Sequence, residues 1–464
     1  MKNLVLSTLL VCCNAIAFAQ FDFQNINLLG HFNDSTVAAE PVYGIRYQSC
    51  WGWHDGNGKE YGVIGTTAGT YIIEVTNPAN PIVSDYIHGR SQPRICHEYK
   101  TYGNYLYAIA DGSNNTFQIM DMSYLPDSVR LVHDDVTIIE SAHTLYIDGD
   151  RMYVAAVKKP GSSPSSLNVY SLANPEQPVL LRRLDQDYPF INGTHDMFVR
   201  NDTVYASCEY QGLYIFHYDE IGNRFNQIGS ITSYPDQGYN HSSFLSEDGS
   251  TLYMCDEVPA GLDVKVVDVS NIASPSTVNT FRSHPNATPH NPYVKGNTLY
   301  VAYYQDGVQA YDISNPQSPV PSGYFDTHPQ NPPGTYPNPA YAGCWAVYTD
   351  LPSGILLASD MQLGLFILDV SQLTGINNLS RKDELIEVYP NPASTQTSIK
   401  YRDKSKIPVI EIIDMKGKVQ KEIILTSNSE GVLIADLSNL KSGMYFIKAV
   451  FKDSYAVKKI NIGR

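Results

Sequence analysis

Basic residues, cysteines and long apolar runs are all scarce in this sequence, and each scarcity excludes a class of protein. Lys and Arg total 32 against 47 Asp and Glu, which gives a formal net charge of −15. Nucleic-acid binding needs clustered Lys and Arg, so a nucleic-acid partner is not expected. The seven cysteines are too few and too scattered for a disulfide framework. After residue 20 no window reaches the roughly 18 apolar residues of a membrane-spanning helix, so no transmembrane segment is expected.

The first twenty residues, MKNLVLSTLLVCCNAIAFAQ, have the layout of a secretion signal. A basic start at Lys2 precedes an apolar stretch at residues 4–13, and Ala17-Phe18-Ala19 is a small-x-small cleavage site. We therefore predict that residues 1–19 are a signal peptide and that the protein is exported.

A repeat accounts for most of the remaining chain. One marker residue recurs at intervals of 46 to 55 residues. The markers are Trp51, His97, His143, His195, His241, His290 and Trp345. Each unit shows a strand headed by its marker, a Gly/Asn/Asp turn and further strands rich in Val, Ile, Tyr and Phe. Units of four strands in about 40–50 residues are typical of β-propeller blades. We predict an all-β chain in which residues 20–373 form a seven-bladed β-propeller.

Two details refine this prediction. The seventh unit has only three strands, at 346–350, 355–359 and 365–370, while INLLGHFND near residues 26–34 resembles the outer strands. We expect the N-terminal segment to pair with residues 365–370, because closing the ring removes an exposed sheet edge. Asp268 in VDVS and Asp312 in YDIS are expected to close turns through side-chain-to-backbone hydrogen bonds.

The pattern changes after a predicted linker at residues 374–384. Residues 385–464 alternate apolar and polar residues over short strands, which indicates a small Ig-like β-sandwich. The segment resembles the type A sorting domain of the type IX secretion system of Bacteroidetes. The similarity lies in YPNP at 389–392, the strand at 410–415 with Gly417, LKSGMY at 440–445 and the basic strand at 456–462.

This resemblance implies a destination and a partner. It implies export across the outer membrane by the type IX secretion machinery, with the protein anchored at the cell surface or released. The residues it assigns to the sorting signal are Pro390, Asn391, Pro392, Gly443 and Tyr445.

The repeat region resembles the LVIVD-repeat proteins called the choice-of-anchor B family. The similarity is carried by THD at 194–196, NH at 240–241 and YVKGNTLYVAYYQDGVQAYD at 293–312, and it extends over roughly residues 40–370. It implies a repeat fold and an extracellular address, and it assigns no activity.

The markers point to a site. In an antiparallel blade the head of the first strand and the tail of the second lie at the same end, so the histidines should share one channel mouth with several acidic residues. Neutral imidazole with carboxylate suits Zn²⁺, Mn²⁺, Fe or Ni²⁺, and Ca²⁺ completes the candidate ions. Our preferred ligands are His143, His195, His241 and His290, with His97, Asp256 and Asp360 as further candidates.

A structural role competes with the metal site. A repeat duplicates every residue that its blade needs, so the histidines could simply bond neighbouring blades together. Trp51 and Trp345 could similarly bind a sugar or fill the channel mouth as apolar residues. Cys50, Cys96 and Cys344 each precede a marker, and either a disulfide among them or buried free thiols fits the sequence.

Ordinary catalytic motifs, such as a nucleophile elbow or a zinc-protease helix, are missing from the sequence. We therefore favour a binding protein for an extracellular glycan, peptide or protein over an enzyme. The alternative is a metal-dependent hydrolase or lactonase-like enzyme with Asp256 or Glu257 as base. A surface scaffold without a ligand is a third interpretation.

Overall fold

The computed structural model describes residues 21–90, 97–112, 114–329, 341–373, 380–381, 385–402, 408–414, 420, 425–427, 432–450 and 454–463. The predicted signal peptide and Cys96 lie outside these residues, as does most of the predicted linker. The chain divides into two compact units, Met1–Leu373 and Thr374–Arg464. The described residues are all-β, which confirms the predicted class, with short 3₁₀ turns at Met122–Tyr124 and Leu184–Gln186. No helix among them is long and apolar enough to cross a membrane.

Among its described residues the first unit contains seven antiparallel sheets, and five of them use four consecutive strands each. The first two are Tyr47–His54, Glu60–Thr66, Gly69–Glu74 and Ile82–His88, then His97–Tyr102, Tyr105–Ala110, Phe117–Asp121 and Arg130–Asp135. The next two are Leu145–Asp148, Arg151–Val157, Ser165–Ser171 and Val179–Arg183, then Asp196–Arg200, Thr203–Ser207, Leu213–Asp219 and Arg224–Ile231. The fifth is Asn240–Leu245, Thr251–Asp256, Val264–Asp268 and Ser276–Phe281.

The last two sheets recruit the N-terminal segment. The sixth contains Asn291–Lys295, Thr298–Ala302, Val308–Asp312 and Val320–Phe325, with the short Phe23–Gln24 beside its outer strand. The seventh contains Cys344–Tyr348, Leu356–Asp360 and Gly364–Asp369, and its fourth strand is Asn27–Phe32. That strand runs antiparallel to Gly364–Asp369, with Phe32 opposite Leu365. The seventh sheet is therefore completed by the other end of the repeat region.

The first strands of the seven sheets form a closed series of contacts. Each first strand contacts the first strand of the next sheet, and Cys344–Tyr348 contacts Tyr47–His54. The apolar core lies between neighbouring sheets, where, for example, Phe198 and Ile215 of one sheet pack with Leu252 and Met254 of the next. Because each sheet is covered on both faces, its inner strands are apolar on both faces rather than alternating.

Two local structural features recur in this unit. In every sheet the register between the third and fourth strands shifts by one residue. The predicted turns are confirmed, because Asp268 Oδ1 accepts from the Ser270 N–H at 2.9 Å and Asp312 Oδ1 accepts from the Ser314 N–H at 2.8 Å.

The described part of the second unit forms two four-stranded sheets around its own core. One consists of Ile386–Tyr389, Gln396–Tyr401, Val432–Asp436 and Leu425–Ser427, and the other of Ser380–Arg381, Ser454–Ile462, Gly443–Val450 and Val409–Asp414. Ile399, Ile412 and Ile447 are fully or almost fully buried. Residues 415 and 417, to which the sequence comparison referred, lie outside the described residues.

The predicted sorting-signal residues lie around the last strand of this unit. The Asn391 side chain donates to the Lys459 carbonyl at 2.8 Å and accepts from the Asn461 N–H at 3.0 Å. These two hydrogen bonds fix the loop that contains Pro390 and Pro392 against the strand Ser454–Ile462. Gly443 begins the neighbouring strand, and the Tyr445 hydroxyl donates to the Lys441 carbonyl at 3.1 Å.

Candidate functional site

Four of the five marker histidines lie side by side. The ring centroids of His143 and His195 are 3.9 Å apart, those of His195 and His241 are 4.1 Å apart, and those of His241 and His290 are 4.3 Å apart. We call His143, His195, His241 and His290 the histidine row. The first strands position them, since the N–H groups of His143, His195 and His290 bond to the second strand of their own sheet. These are the four preferred ligands of the sequence prediction.

In two members of the histidine row, one ring nitrogen bonds to the backbone of the next sheet. His195 Nδ1 donates to the His241 carbonyl at 3.2 Å, and His290 Nδ1 donates to the Trp345 carbonyl at 2.7 Å. His143 Nδ1 instead contacts the Asp111 carboxylate at 3.0 Å. A neutral imidazole that donates through Nδ1 has its lone pair on Nε2. The sheet-linking bonds of His195 and His290 thus leave Nε2 as the atom that can bind a metal or accept a hydrogen bond.

His241 differs from its neighbours. Its Nδ1 is buried and interacts with the backbone of His290, but with poorer hydrogen-bond geometry than the bonds that His195 and His290 make. Its Nε2 lies 4.0 Å from Glu257 Oε2. His241 therefore shares the sheet-linking pattern of the row through a weaker contact.

Burial sets the charge of most of the row. It lowers the pKa of His195 and His241 well below 6.5, with the neighbouring histidines adding to the effect. It also lowers the pKa of His290 to about 3. Burial acts the same way on His143, but the hydrogen bond and charge of Asp111 outweigh it and raise the His143 pKa. The row therefore contains three neutral imidazoles at neutral pH and one more basic one.

Glu257 faces the row. Its Oε1 accepts a hydrogen bond of 2.8 Å from the Tyr304 hydroxyl, and burial raises the pKa of its carboxyl group. Ligand atoms of His241, Glu257 and His290 all lie within 4.8 Å of one another, the one such group of three His, Cys, Asp or Glu side chains found among the described residues. Atoms bound to one ion at about 2.0–2.2 Å lie about 3–3.5 Å apart, so the group must close by about 1 Å to hold a metal.

These side chains line a cavity of about 280 Å³, which we call the histidine cavity. Its polar side consists of the histidine row and Glu257. The rest of the lining, which we call the aromatic side, is apolar and mostly aromatic, and comprises Tyr43, Ile45, Tyr304, Tyr341 and Trp345. The Tyr304 ring stacks on the His290 imidazole with centroids 4.5 Å apart, so the two sides meet at this pair.

The Tyr304 backbone is held in a conformation that is rare for a tyrosine. Its φ is +36°, in the left-handed region. The Tyr304 carbonyl accepts from the Cys344 N–H at 2.8 Å and from the Gly307 N–H at 3.1 Å, which fixes it between two sheets. Glu209 occupies the equivalent point of another sheet, with φ +55° and bonds to Asn240 and Gly212. Strained residues of this kind cluster at binding sites.

The other sequence-predicted ligands lie elsewhere. His97 bonds to the Gln48 side chain and lines a separate, very small cavity. Asp256 is fully buried, pairs with Lys265 Nζ at 3.1 Å and accepts from the Tyr234 hydroxyl and the Gly238 N–H. Asp360 accepts from Thr327, Gln362 and Leu363. The acceptor capacity of both aspartates serves local structure.

The two predicted tryptophans are also separated. Trp345 lines the histidine cavity and its Nε1 donates to Glu98 Oε1 at 3.3 Å. Trp51 lines a second cavity of about 100 Å³, where Lys100 Nζ lies 4.1 Å from its ring centroid. Glu98, Lys100 and Asp196 line this second cavity as well.

The cysteines described by the structure are buried free thiols, namely Cys50, Cys208, Cys255 and Cys344. Burial raises the pKa of the Cys50 thiol to about 12, so it is inert at neutral pH. Cys50 and Cys344 are not joined to each other. A bond from either one to Cys96 concerns a residue outside the described part of the chain.

Sequence reasoning missed several residues around these cavities. Tyr43, Ile45 and Tyr341 come from segments with no repeat, and nothing in their local sequence indicates that they meet the histidine row. Glu98 and Asp196 carried a signal, since each directly follows a marker histidine.

Comparisons with known proteins identify two segments. Residues 387–463 match the model of the secretion system C-terminal sorting domain, and residues 292–327 match the LVIVD repeat. These matches confirm the two resemblances at those segments. The sorting domain directs export through type IX secretion to the cell surface or the extracellular space, and the secretion machinery is a partner of the chain.

The remaining comparisons are uninformative about function. No curated protein matches the chain. Among solved structures, the computationally designed Ika8 protein is 8% identical with a TM-score of 0.44, covering 69% of this chain and 82% of its own. The N-terminal domain of Nup159 is 11% identical with a TM-score of 0.47, covering 75% of this chain and 95% of its own. Scores this low carry no argument about fold or function.

Proposed function

We propose that this chain, which its sorting domain directs through type IX secretion, is a binding protein that holds a divalent metal ion at His241, Glu257 and His290. The observation that carries the proposal is the convergence of these three ligand atoms in the histidine cavity. Two imidazoles and one carboxylate form a set used by Zn²⁺ and by Fe²⁺, and the set leaves coordination positions open for a ligand.

Three further observations support a metal at this point. The low pKa values of His241 and His290 keep both imidazoles neutral, as metal ligands must be. The His290 Nδ1 bond to the Trp345 carbonyl is the kind of outer hydrogen bond that orients a metal-binding histidine. His241 Nε2 lies 4.0 Å from Glu257 Oε2, so the two atoms could share one ion after a small movement.

The architecture that we propose around the site has four parts. Residues 1–19 are a cleaved signal peptide, residues 20–373 a seven-bladed β-propeller of the choice-of-anchor B type, 374–384 a linker and 385–464 an Ig-like sorting domain from a Bacteroidetes-type protein. The seven sheets, the closed series of contacts between their first strands and the pairing of Asn27–Phe32 with Gly364–Asp369 support the propeller.

Binding is favoured over hydrolysis by the positions of the acidic residues. Asp256, one of two candidate bases, is paired with Lys265 and does not line the histidine cavity. The other candidate base, Glu257, is one of the three residues that would bind the metal. The enzyme hypothesis therefore has no carboxylate base left among the residues that the sequence nominated.

Metal analysis of the purified full chain tests the proposal. After equilibration with Zn²⁺, Mn²⁺ or Fe²⁺ and removal of free ions, we expect about one tightly held ion per chain. His241→Ala/His290→Ala should weaken binding by more than the roughly 10–100-fold that loss of an outer hydrogen-bond partner causes.

His217→Ala is the matched control, because His217 is an exposed histidine on the strand Leu213–Asp219. It should leave the metal content unchanged. A wild-type chain without stoichiometric metal, or a double variant that retains it, would refute the site.

A further inference from the structure

We infer that the ligand of the histidine cavity is a small organic molecule that chelates the metal through two oxygen atoms and places a flat apolar ring against the aromatic side. This inference rests on the proposed metal site and adds the chemical class of its ligand. It follows from the size of the cavity, the chemistry of its two sides and the hydrogen-bonding state of His195.

The size of the cavity favours a small molecule. At about 280 Å³ it is close to the lower end of the roughly 300–1,000 Å³ that small-molecule sites occupy. Such sites are mostly apolar with a few placed polar groups, and the histidine cavity has this composition. An extended polymer would contact it with one terminal group at most.

The polar side favours oxygen donors. Three protein ligands leave one coordination position open on tetrahedral Zn²⁺ and two when it becomes five-coordinate, and the three ligands all line the cavity from which a chelating molecule would enter. Zn²⁺ and Fe²⁺ accept oxygen ligands readily, and a chelating pair binds better than a single donor because only one molecule loses its freedom. A carboxylate with a neighbouring hydroxyl, a hydroxamate or a catechol would meet this requirement.

His195 adds a second requirement, a hydrogen-bond donor next to the chelating atoms. Its Nδ1–H is used by the His241 carbonyl, so its Nε2 can only accept. Its ring lies 4.1 Å from that of His241, a proposed metal ligand, and both side chains line the same cavity. Hydroxamates and α-hydroxy acids carry an N–H or O–H at this place, whereas a simple dicarboxylate does not.

The aromatic side favours a flat ring. Tyr43, Tyr304, Tyr341 and Trp345 present four aromatic side chains to the cavity. Tyr43 and Tyr341 contact each other edge to face with centroids 5.0 Å apart, and Tyr43 remains 43% exposed. Tyr43 therefore forms an outer edge of the cavity that a bound ring would cover, and burial of aromatic area is a large contribution to small-molecule affinity.

The test compares two probes that differ only in the ring. Isothermal titration calorimetry on the zinc-loaded full chain would measure benzohydroxamate and acetohydroxamate. Burial of the phenyl ring should make benzohydroxamate bind about tenfold or more tightly. Tyr43→Ala should remove most of this preference, because Tyr43 is part of the surface that the phenyl ring would cover; the zinc content of the variant is measured alongside.

Tyr124→Ala is the control, because Tyr124 is similarly exposed but lies outside the cavity. It should change neither affinity. The inference is overturned if zinc is retained but neither hydroxamate binds, if both bind equally, or if Tyr43→Ala keeps the preference. Failure of the proposed function has a different signature, namely a chain that holds no zinc before any probe is added.

Discussion

Each histidine of the row has two ring nitrogens, and in His195 and His290 the two nitrogens have different bonding partners available. Nδ1 of His195 and of His290 bonds to the backbone of the next sheet, as the structural interpretation of the repeat requires. The same bond places the lone pair on Nε2, which a metal or ligand requires. The two interpretations of the repeated histidine are therefore compatible, because they concern different atoms.

At the same scale, the Asp111–His143 pair gives a pH prediction. Asp111→Asn removes the carboxylate that raises the His143 pKa, so we expect that pKa to fall. Titration of the His143 ring proton by NMR in metal-free protein would measure it. Asp236→Asn, at an exposed residue, should leave the titration unchanged. An unaltered His143 pKa in Asp111→Asn would contradict the assigned pair.

The sign of the associated stability follows from the two shifts. The hydrogen bond from His143 lowers the Asp111 pKa from 3.8 to about 2, so this stabilisation is present above pH 3.8 and is lost as the pH falls towards 2. The raised His143 pKa adds stability below 6.5 that is lost as the pH rises through its folded value. The pair therefore stabilises most in mildly acidic solution, by a modest amount because Asp111 is partly exposed.

At the scale of the element, the register shift between third and fourth strands brings the outer strand against the next sheet. At Gly229, in Arg224–Ile231, an added Cβ would lie 1.9 Å from the Ile272 carbonyl oxygen. At Gly30, in Asn27–Phe32, it would lie 1.7 Å from the Pro78 carbonyl oxygen. Backbone approaches this close cannot be relieved by a rotamer change, so both positions require glycine.

We predict that Gly229→Ala lowers the free energy of unfolding by about 1–3 kcal/mol, since strands must separate to admit the methyl group. Chemical denaturation would measure the loss. Gly463→Ala is the control, because its added Cβ meets no atom within 4 Å. Equal stabilities of the two variants would show that the outer strand is not held against the segment that contains Ile272.

The positions of the strands could largely be predicted from the sequence, whereas their ends could not. The third strand of the seventh unit was expected at 365–370 and lies at Gly364–Asp369. The first was expected at 346–350 and begins two residues earlier, at Cys344, whose N–H bonds to the Tyr304 carbonyl of the preceding sheet. A bond to a neighbouring sheet extends a strand beyond what its own periodicity indicates.

At the scale of the whole molecule, the chain combines two compact units with separate cores. The second carries the sorting domain and the first carries the histidine cavity. Export should therefore depend on one unit and metal binding on the other.

Deletion of residues 387–463 should abolish appearance at the cell surface or in the medium and leave the chain inside the cell envelope, as fractionation and immunoblotting would show. His241→Ala/His290→Ala is the matched control and should be exported like the wild type, because its sorting domain is intact. Surface exposure of the truncated chain would contradict the assignment of export to this unit.

The sequence by itself determined the all-β class, the period of the repeat, the Asp-closed turns and the sorting domain, because each depends on residues close together in the chain. It also nominated the four histidines, since a marker at a fixed point of a repeat recurs at a fixed point of the fold. Only the tertiary structure decided that Glu257 rather than Asp256 faces the row, because adjacent residues at a strand end point to opposite sides. It alone brought Tyr43 and Tyr341 to the histidines, because contacts between distant loops depend on how the sheets pack and leave no period in the sequence.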